Sequence, residues 1–216
     1  MPVKTSTRAR MRRIAICLQQ AMPEAPVELD HTGAWELLVA TILSAQCTDE
    51  RVNRVTPALF QRYQTPTEFA QADQMELESL IHSTGFFRSK ARNLIACAQY
   101  LIDVFHGIVP DTMEALITLP GIGRKTANVL LGACFGRPAI VVDTHVKRVA
   151  HRLQFSASSD PTKIEQDLQG VMPQADWTRV SQRLLLHGRY VCTARKPRCG
   201  DCAIFTECLW EGKAVQ

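Results

Sequence analysis

The sequence predicts an all-α protein, and three observations carry that prediction. Apolar residues recur at helical spacing in 35–46, through Trp35, Leu38, Val39, Ile42 and Leu43, and again in 91–105, through Ala91, Leu94, Ile95, Ala98, Leu101, Ile102 and Phe105. Segments beginning near Pro66, Pro110 and Pro161 carry the Thr or Asp and Pro punctuation of helix starts, as in Asp160-Pro161. No alternating run is long enough to demand a strand; Ile140, Val141 and Val142 form a short apolar run, and β-branched residues are otherwise dispersed.

The chain has 216 residues, 46% of them hydrophobic, which is enough for a full core in one or two domains. There is no internal repeat or low-complexity linker, and composition marks no domain boundary. A formal net charge of +4 is compatible with an anionic partner and equally with an ordinary enzyme. The excess is concentrated at the start, where Lys4, Arg8, Arg10, Arg12 and Arg13 all precede the first acid, Glu24. That run is either a solvated tail or an arm that neutralises phosphates. No apolar stretch reaches the roughly 18–20 residues of a membrane span. The N-terminus lacks the apolar core of a secretory signal, so the expectation is a soluble, intracellular protein without a membrane partner.

Between the apolar helical runs 112–118 and 126–135 lies Leu119-Pro-Gly-Ile-Gly-Arg-Lys125-Thr-Ala. Pro120 is expected to end the first helix. Gly121 and Gly123 permit a tight turn and a close approach of backbone to another molecule, and amides at the start of the second helix form an anion site. A plain interhelical turn would use the same residues. Lys125 falls at that helix start, where the positive end of the dipole disfavours an ammonium and so favours the neutral amine a Schiff-base nucleophile requires. Eighteen residues on comes Val141-Val142-Asp143-Thr144-His145-Val146. An aspartate after three apolar residues is partly desolvated and needs a partner or a task. It can also cap a helix over 144–152, and one residue can serve both roles.

Of the eight cysteines, Cys17, Cys47, Cys97 and Cys134 are scattered singly and read as buried free thiols. Cys192, Cys199, Cys202 and Cys208 fall within the last 25 residues, with spacing Cys-x6-Cys-x2-Cys-x5-Cys. In a chain of intracellular character this points to metal ligation over disulfides. Zinc and a [4Fe–4S] cubane fit the four thiolates about equally on chemistry alone. Arg195, Lys196 and Arg198 lie between the first two cysteines, with Pro197 stiffening the loop. Metal at both ends would fix those cations for phosphate contact, and a merely solvated loop is the other reading.

At this point the residues resemble a known family. Leu119 to Asn128 resembles the helix-hairpin-helix of endonuclease III-type DNA glycosylases. Val142-Asp143-Thr144-His145-Val146 is similar to the stretch holding their catalytic aspartate, and the terminal cysteine spacing is similar to their [4Fe–4S] site, preceded by His187-Gly188-Arg189. Leu43-Ser-Ala-Gln46-Cys-Thr48-Asp49 resembles their early DNA-facing motif. The likeness covers about residues 30–210, in the family's order.

The resemblance implies a two-lobed helix-hairpin-helix glycosylase fold: a six-helix lobe over 28–137, and a discontinuous lobe of 1–27 and 138–216 holding the cluster loop. DNA would bind across the cleft between them, with Lys125 and Asp143 facing each other. It implies a bifunctional base-excision enzyme, acting as a monomer on double-stranded DNA that contains oxidised pyrimidines or abasic sites. The localisation it implies is cytoplasmic and nucleoid-associated if the source is prokaryotic. The damaged base is flipped out; Lys125 attacks C1′ and expels it, Asp143 activates the amine and stabilises the sugar cation, and β-elimination from the Schiff base cuts the strand. By the same resemblance Gln46 fills the gap, and Phe86 is the apolar wedge, although either Phe86 or its neighbour Phe87 could be core. Gly121, Ile122, Gly123 and Arg124 hold a phosphate, and His145 with Arg195, Lys196 and Arg198 contacts DNA. Two other readings stay open. A monofunctional mismatch glycosylase would lack the hairpin lysine, and its adenine-specific type carries a further C-terminal domain, whereas this sequence runs eight residues past Cys208. A DNA-binding module without catalysis needs neither Lys125 nor Asp143.

Overall fold

The computed structural model describes residues 5–214, and among these there is no β-strand; the chain is helices joined by turns. It divides into two compact units, the continuous run Val27–Gly136 and a discontinuous one joining Met1–Pro26 to Arg137–Gln216.

The continuous unit is built on α2 (Ala34–Leu43), buried from Leu37 onward, and α6 (Phe87–Phe105), which buries one face through Lys90, Ala91, Leu94, Cys97, Ala98 and Leu101. Leu37 to Leu43 are all buried, so α2 is a core helix rather than an amphipathic one. The expected helix over 35–46 stops at Leu43, because Ser44 begins a turn and Gln46 adopts a left-handed backbone. Side chains open the next three helices. Thr48 caps α3 (Asp49–Arg62), Thr65 and Glu68 form a capping box on α4 (Pro66–Ala70), and Asp73 caps α5 (Gln74–Ile81). Both α4 and α5 lie against α6. A 3-10 turn, His82–Thr84, leads into α6. The helix start expected near Pro110 falls at α7 (Met113–Leu116), capped by Thr112. This helix is shorter than the run 112–118 and ends before Pro120, because Thr118 turns its hydroxyl onto the Ala115 carbonyl and the chain tightens into turns. Its partner α8 (Arg124–Cys134) begins two residues earlier than the apolar pattern indicated.

In the discontinuous unit α1 (Thr5–Ala21), α9 (Thr144–Arg152), α10 (Pro161–Val171) and α11 (Trp177–Tyr190) enclose one core. Ile14 and Leu18 of α1 meet Val146, Val149, Leu168 and Leu184, and Ile204 of the cysteine segment joins them. The run Ile140 to Val142 is extended but pairs with no strand. Thr178 and Ser181 of α11 accept from the amides of Ala139 and Val141 instead.

The N-terminal arginines are mostly internal ties. Arg8 donates to the Gly170 carbonyl, and Arg10 reaches the carbonyls of Leu153 and Glu207 while lying over the Phe155 ring. Arg13 makes a bidentate pair with Glu207 at 2.6 and 2.9 Å. Neither a tail nor a phosphate arm describes these three, whereas Lys4 lies outside the described residues. No helix among the described residues is long and apolar enough to cross a membrane.

Candidate active site and cysteine centre

The turn between α7 and α8 depends on one glycine conformation. Gly121 has φ +81°, and a Cβ there would sit 3.2 Å from the Asn93 side chain. Gly123 differs: its backbone is extended, it precedes α8 as N-cap, and a Cβ on it would meet nothing within 4 Å. The protein's own packing therefore gives no reason for the missing side chain at 123. The Ile122 amide donates to the Leu119 carbonyl at 3.1 Å and its side chain is buried, so of the three expected phosphate-binding amides this one is taken up inside the turn. Lys125 is the second residue of α8 and is exposed; Arg124 beside it is exposed also.

Asp143 is the N-cap of α9, accepting from the Val146 amide at 2.7 Å, and it is half-buried behind Ile140, Val141 and Val142. The expected cap over 144–152 is what the structure contains. His145, two residues on, shares a hydrogen bond between its Nδ1 and Arg148 at 3.2 Å, and its Cβ lies against Gly188 of α11. A Cβ at Gly188 would come within 2.9 Å of the His145 Cβ, so this glycine lets α9 and α11 close on each other.

Cys192, Cys199, Cys202 and Cys208 line a single cavity whose other walls include Val149, Leu153, Ile204 and Phe205. All four are free thiols, and no carboxylate lines the space. Arg152, Arg198 and Lys213 do, supplying positive charge to whatever thiolates form there. Burial pushes the Cys202 thiol up to about 11, with the three neighbouring cysteines adding to it. Among the described residues no group of three or more His, Cys, Asp or Glu is placed to hold one metal ion. His187 is buried beside Cys202, its Nε2 3.6 Å from the sulfur, and burial lowers its ring to about 4, which keeps the imidazole neutral at ordinary pH.

The loop between the first two cysteines is tied to itself. The Arg198 amide donates to the Val191 carbonyl, and the Thr193 hydroxyl reaches the carbonyls of Arg195 and Lys196. Arg195 and Lys196 are exposed on its outside, while the Arg198 guanidinium donates to the Tyr190 carbonyl.

Among the described residues five non-glycine residues have positive φ: Gln46, Phe86, His106, Gln154 and Lys196. His106 and Gln154 sit at helix C-termini, where a left-handed residue is ordinary. The other three are candidate DNA-contact residues, each holding a conformation that costs an L-residue roughly 1 kcal/mol or more. Gln46 is exposed. Phe86 is 65% exposed, whereas Phe87 is half-buried with its ring 4.5 Å from that of His82. Of the two phenylalanines, Phe87 belongs to the framework.

Sequence reasoning missed three groups. Arg148 donates to the carbonyls of Cys192 and Gly188, and burial holds its guanidinium below the usual arginine range. Arg152 donates to the Cys192 sulfur at 3.1 Å and to the Thr193 and Ala194 carbonyls, with its other face on Trp210. One face of α9 thus braces the first cysteine. The third is Lys90, buried to 4% exposure. An i, i+4 pair of arginines five and nine residues after the aspartate was the available signal for the first two; a lysine in an apolar helical run was the signal for the third.

Comparison with known proteins agrees with this architecture. A family model for the HhH-GPD superfamily of base excision DNA repair proteins matches residues 39–174. Endonuclease III of Synechocystis is 51% identical over 204 residues, covering 94% of this chain and 93% of that protein. Endonuclease III of Haemophilus influenzae is 44% identical, covering 94% and 98%. The structure of a trapped endonuclease III–DNA covalent intermediate superposes with a TM-score of 0.89 at 41% identity, over 94% of this chain and 95% of that one. The chain belongs to the HhH-GPD superfamily of base excision DNA repair proteins and, within it, to the endonuclease III family.

Proposed function

We propose that this protein excises oxidised pyrimidines from double-stranded DNA and cleaves the resulting abasic site, with Lys125 as the nucleophile. The observation that carries the reading is the exposed amine of Lys125 in the first turn of α8, directly behind the Gly121 turn. A lysine amine open to an incoming sugar can form a covalent amine–sugar adduct, which is the chemistry the reading requires. The trapped covalent DNA intermediate of a 41% identical endonuclease III supports the same course.

The target base leaves the stack at a cost of a few kcal/mol, least where pairing is already damaged. Lys125 attacks C1′ and the base departs; the adduct opens to a Schiff base, which makes the C2′ proton acidic and allows elimination of the 3′ phosphate. Asp143 assists deprotonation of the amine and stabilises the positive charge on the sugar. Its hydrogen bond from Val146 fixes the carboxylate for that task. Gln46 and Phe86 occupy the space vacated in the duplex, and Gly121, Gly123 and Arg124 approach a phosphate. The open space over Gly123 suits a backbone approach by another molecule. His145, Arg195, Lys196 and Arg198 contact DNA from the other unit.

A [4Fe–4S] cluster suits the cysteine cavity. Its donor set is four soft sulfurs and no carboxylate, its walls are partly apolar, and cations offset thiolate charge. Cys192, Cys199, Cys202 and Cys208 would hold the cluster, which would tie the C-terminal segment and present Arg195 and Lys196. A monomer in the cytoplasm, where the chromosome of a prokaryote lies, completes the reading.

A 5′-labelled duplex with one thymine glycol tests it. Base release with scission by β-elimination is the expected result. Base release without scission would make the protein a monofunctional glycosylase, and binding with neither activity would leave a DNA-binding module.

A further inference from the structure

Lys90 is a cation with almost no surface, and the two groups that hold it define what it does. Its ammonium donates to the Leu43 carbonyl at 2.7 Å and the Thr84 carbonyl at 2.8 Å. Burial holds the amine below the usual lysine range, against a smaller opposing effect of Cys47. As the fourth residue of α6 it stands where its own helix dipole disfavours a cation, but the carbonyl end of α2 favours it. Leu43 ends α2, and Gln46 follows three residues later; Thr84 ends the 3-10 turn, and Phe86 follows two residues later. The Lys90 amide also donates to the Phe86 carbonyl at 3.0 Å. One residue therefore grips the roots of two loops, each ending in an exposed side chain on left-handed backbone.

We infer that Lys90 is a positioning residue that fixes the Gln46 and Phe86 loops relative to each other, so that both side chains enter the duplex as one preset wedge. This rests on the reading above that these two residues enter DNA. An apolar side chain of the same length would fill the volume; what needs the ammonium is the simultaneous hold on two carbonyls that would otherwise be buried without donors. The loops matter for a base still stacked and paired, and not for a bare sugar in a single strand.

The test is a mutant cycle of Lys90→Met against the pair Gln46→Ala/Phe86→Ala, assayed on thymine glycol in duplex and on a pre-formed abasic site in single-stranded DNA. Since displacement of about 1 Å can cost about 100-fold, Lys90→Met is expected to slow duplex excision about 10- to 100-fold. It should leave single-strand β-elimination within about two-fold, and cost no more than about two-fold when added to the loop pair, as coupled residues do. Equal slowing on both substrates, or the same factor in both backgrounds, would overturn the inference and leave Lys90 a general stabiliser. If the loop pair itself excises normally from duplex, the DNA-entry reading fails instead. Should Lys90→Met lose its far-UV helix signal at the assay temperature, Lys90→Gln, with a shorter donor, enters the same cycle under the same criteria.

Discussion

Lys90 and Lys125 lie in the first turns of α6 and α8, where the helix dipole disfavours a cation, yet they reach opposite environments. Lys90 is buried with its ammonium held by two carbonyls. Lys125 is exposed beside a glycine turn. The difference teaches that a misplaced charge has two resolutions. When the tertiary fold brings a carbonyl end of another helix to it, the charge becomes a strut, and the proton that makes it a strut occupies the lone pair. When nothing of the kind arrives, the amine stays available for chemistry.

The sharpest way to break the comparison is to remove the available amine. Lys125→Gln is expected to lower strand scission by roughly 1,000-fold or more while leaving the thermal midpoint near wild type, because an exposed first-turn side chain carries little stability. A retained lyase would transfer the nucleophile elsewhere. Asp143→Asn comes next: asparagine caps as well as aspartate, so stability should change by less than about 1 kcal/mol, while base excision falls on the order of 100-fold for want of the charge. Parallel losses of both would reduce Asp143 to a cap. Phe86→Ala sharpens the other side, lowering activity on paired lesions about ten-fold and on abasic sites much less, as expected for a wedge that unstacks bases; equal losses would remove the wedge assignment. The smallest effect separates the two hairpin glycines. Gly121→Ala should cost about 1–2 kcal/mol by denaturant unfolding, because of its φ and the Asn93 contact. Gly123→Ala should cost less stability and show chiefly as weaker DNA binding; the reverse order would contradict the roles given to the turn.

A separate prediction concerns the cysteine cavity. Cys202→Ser is expected to abolish a visible absorption band of purified protein and to loosen the C-terminal segment, read as increased proteolysis after Tyr190. A zinc-loaded, colourless wild type would contradict the cluster reading.

Much of this was legible in the sequence because it is local. Apolar spacing marked α2 and α6, and Asp143 followed by an apolar-periodic run marked both its cap and α9. The short α7 was misjudged because Thr118 and Leu119 turn the chain with hydrogen bonds that no apolar period reveals. The basic N-terminal run was ambiguous because its partners, Gly170, Leu153 and Glu207, are more than 140 residues away in the chain. The same holds for Arg152 and Cys192, 40 residues apart, and for Lys90 and Leu43, 47 apart. Left-handed backbone at Gln46, Phe86 and Lys196 left no trace in residue type, since none is glycine or asparagine.

The most direct measurement is borohydride reduction of the protein with a thymine glycol duplex, followed by peptide mapping of the adduct. The account predicts one covalent protein–DNA species, with the sugar remnant on the peptide carrying Lys125 and no adduct from Lys125→Gln. An adduct on another amine, or efficient strand scission with no trappable intermediate, would contradict it.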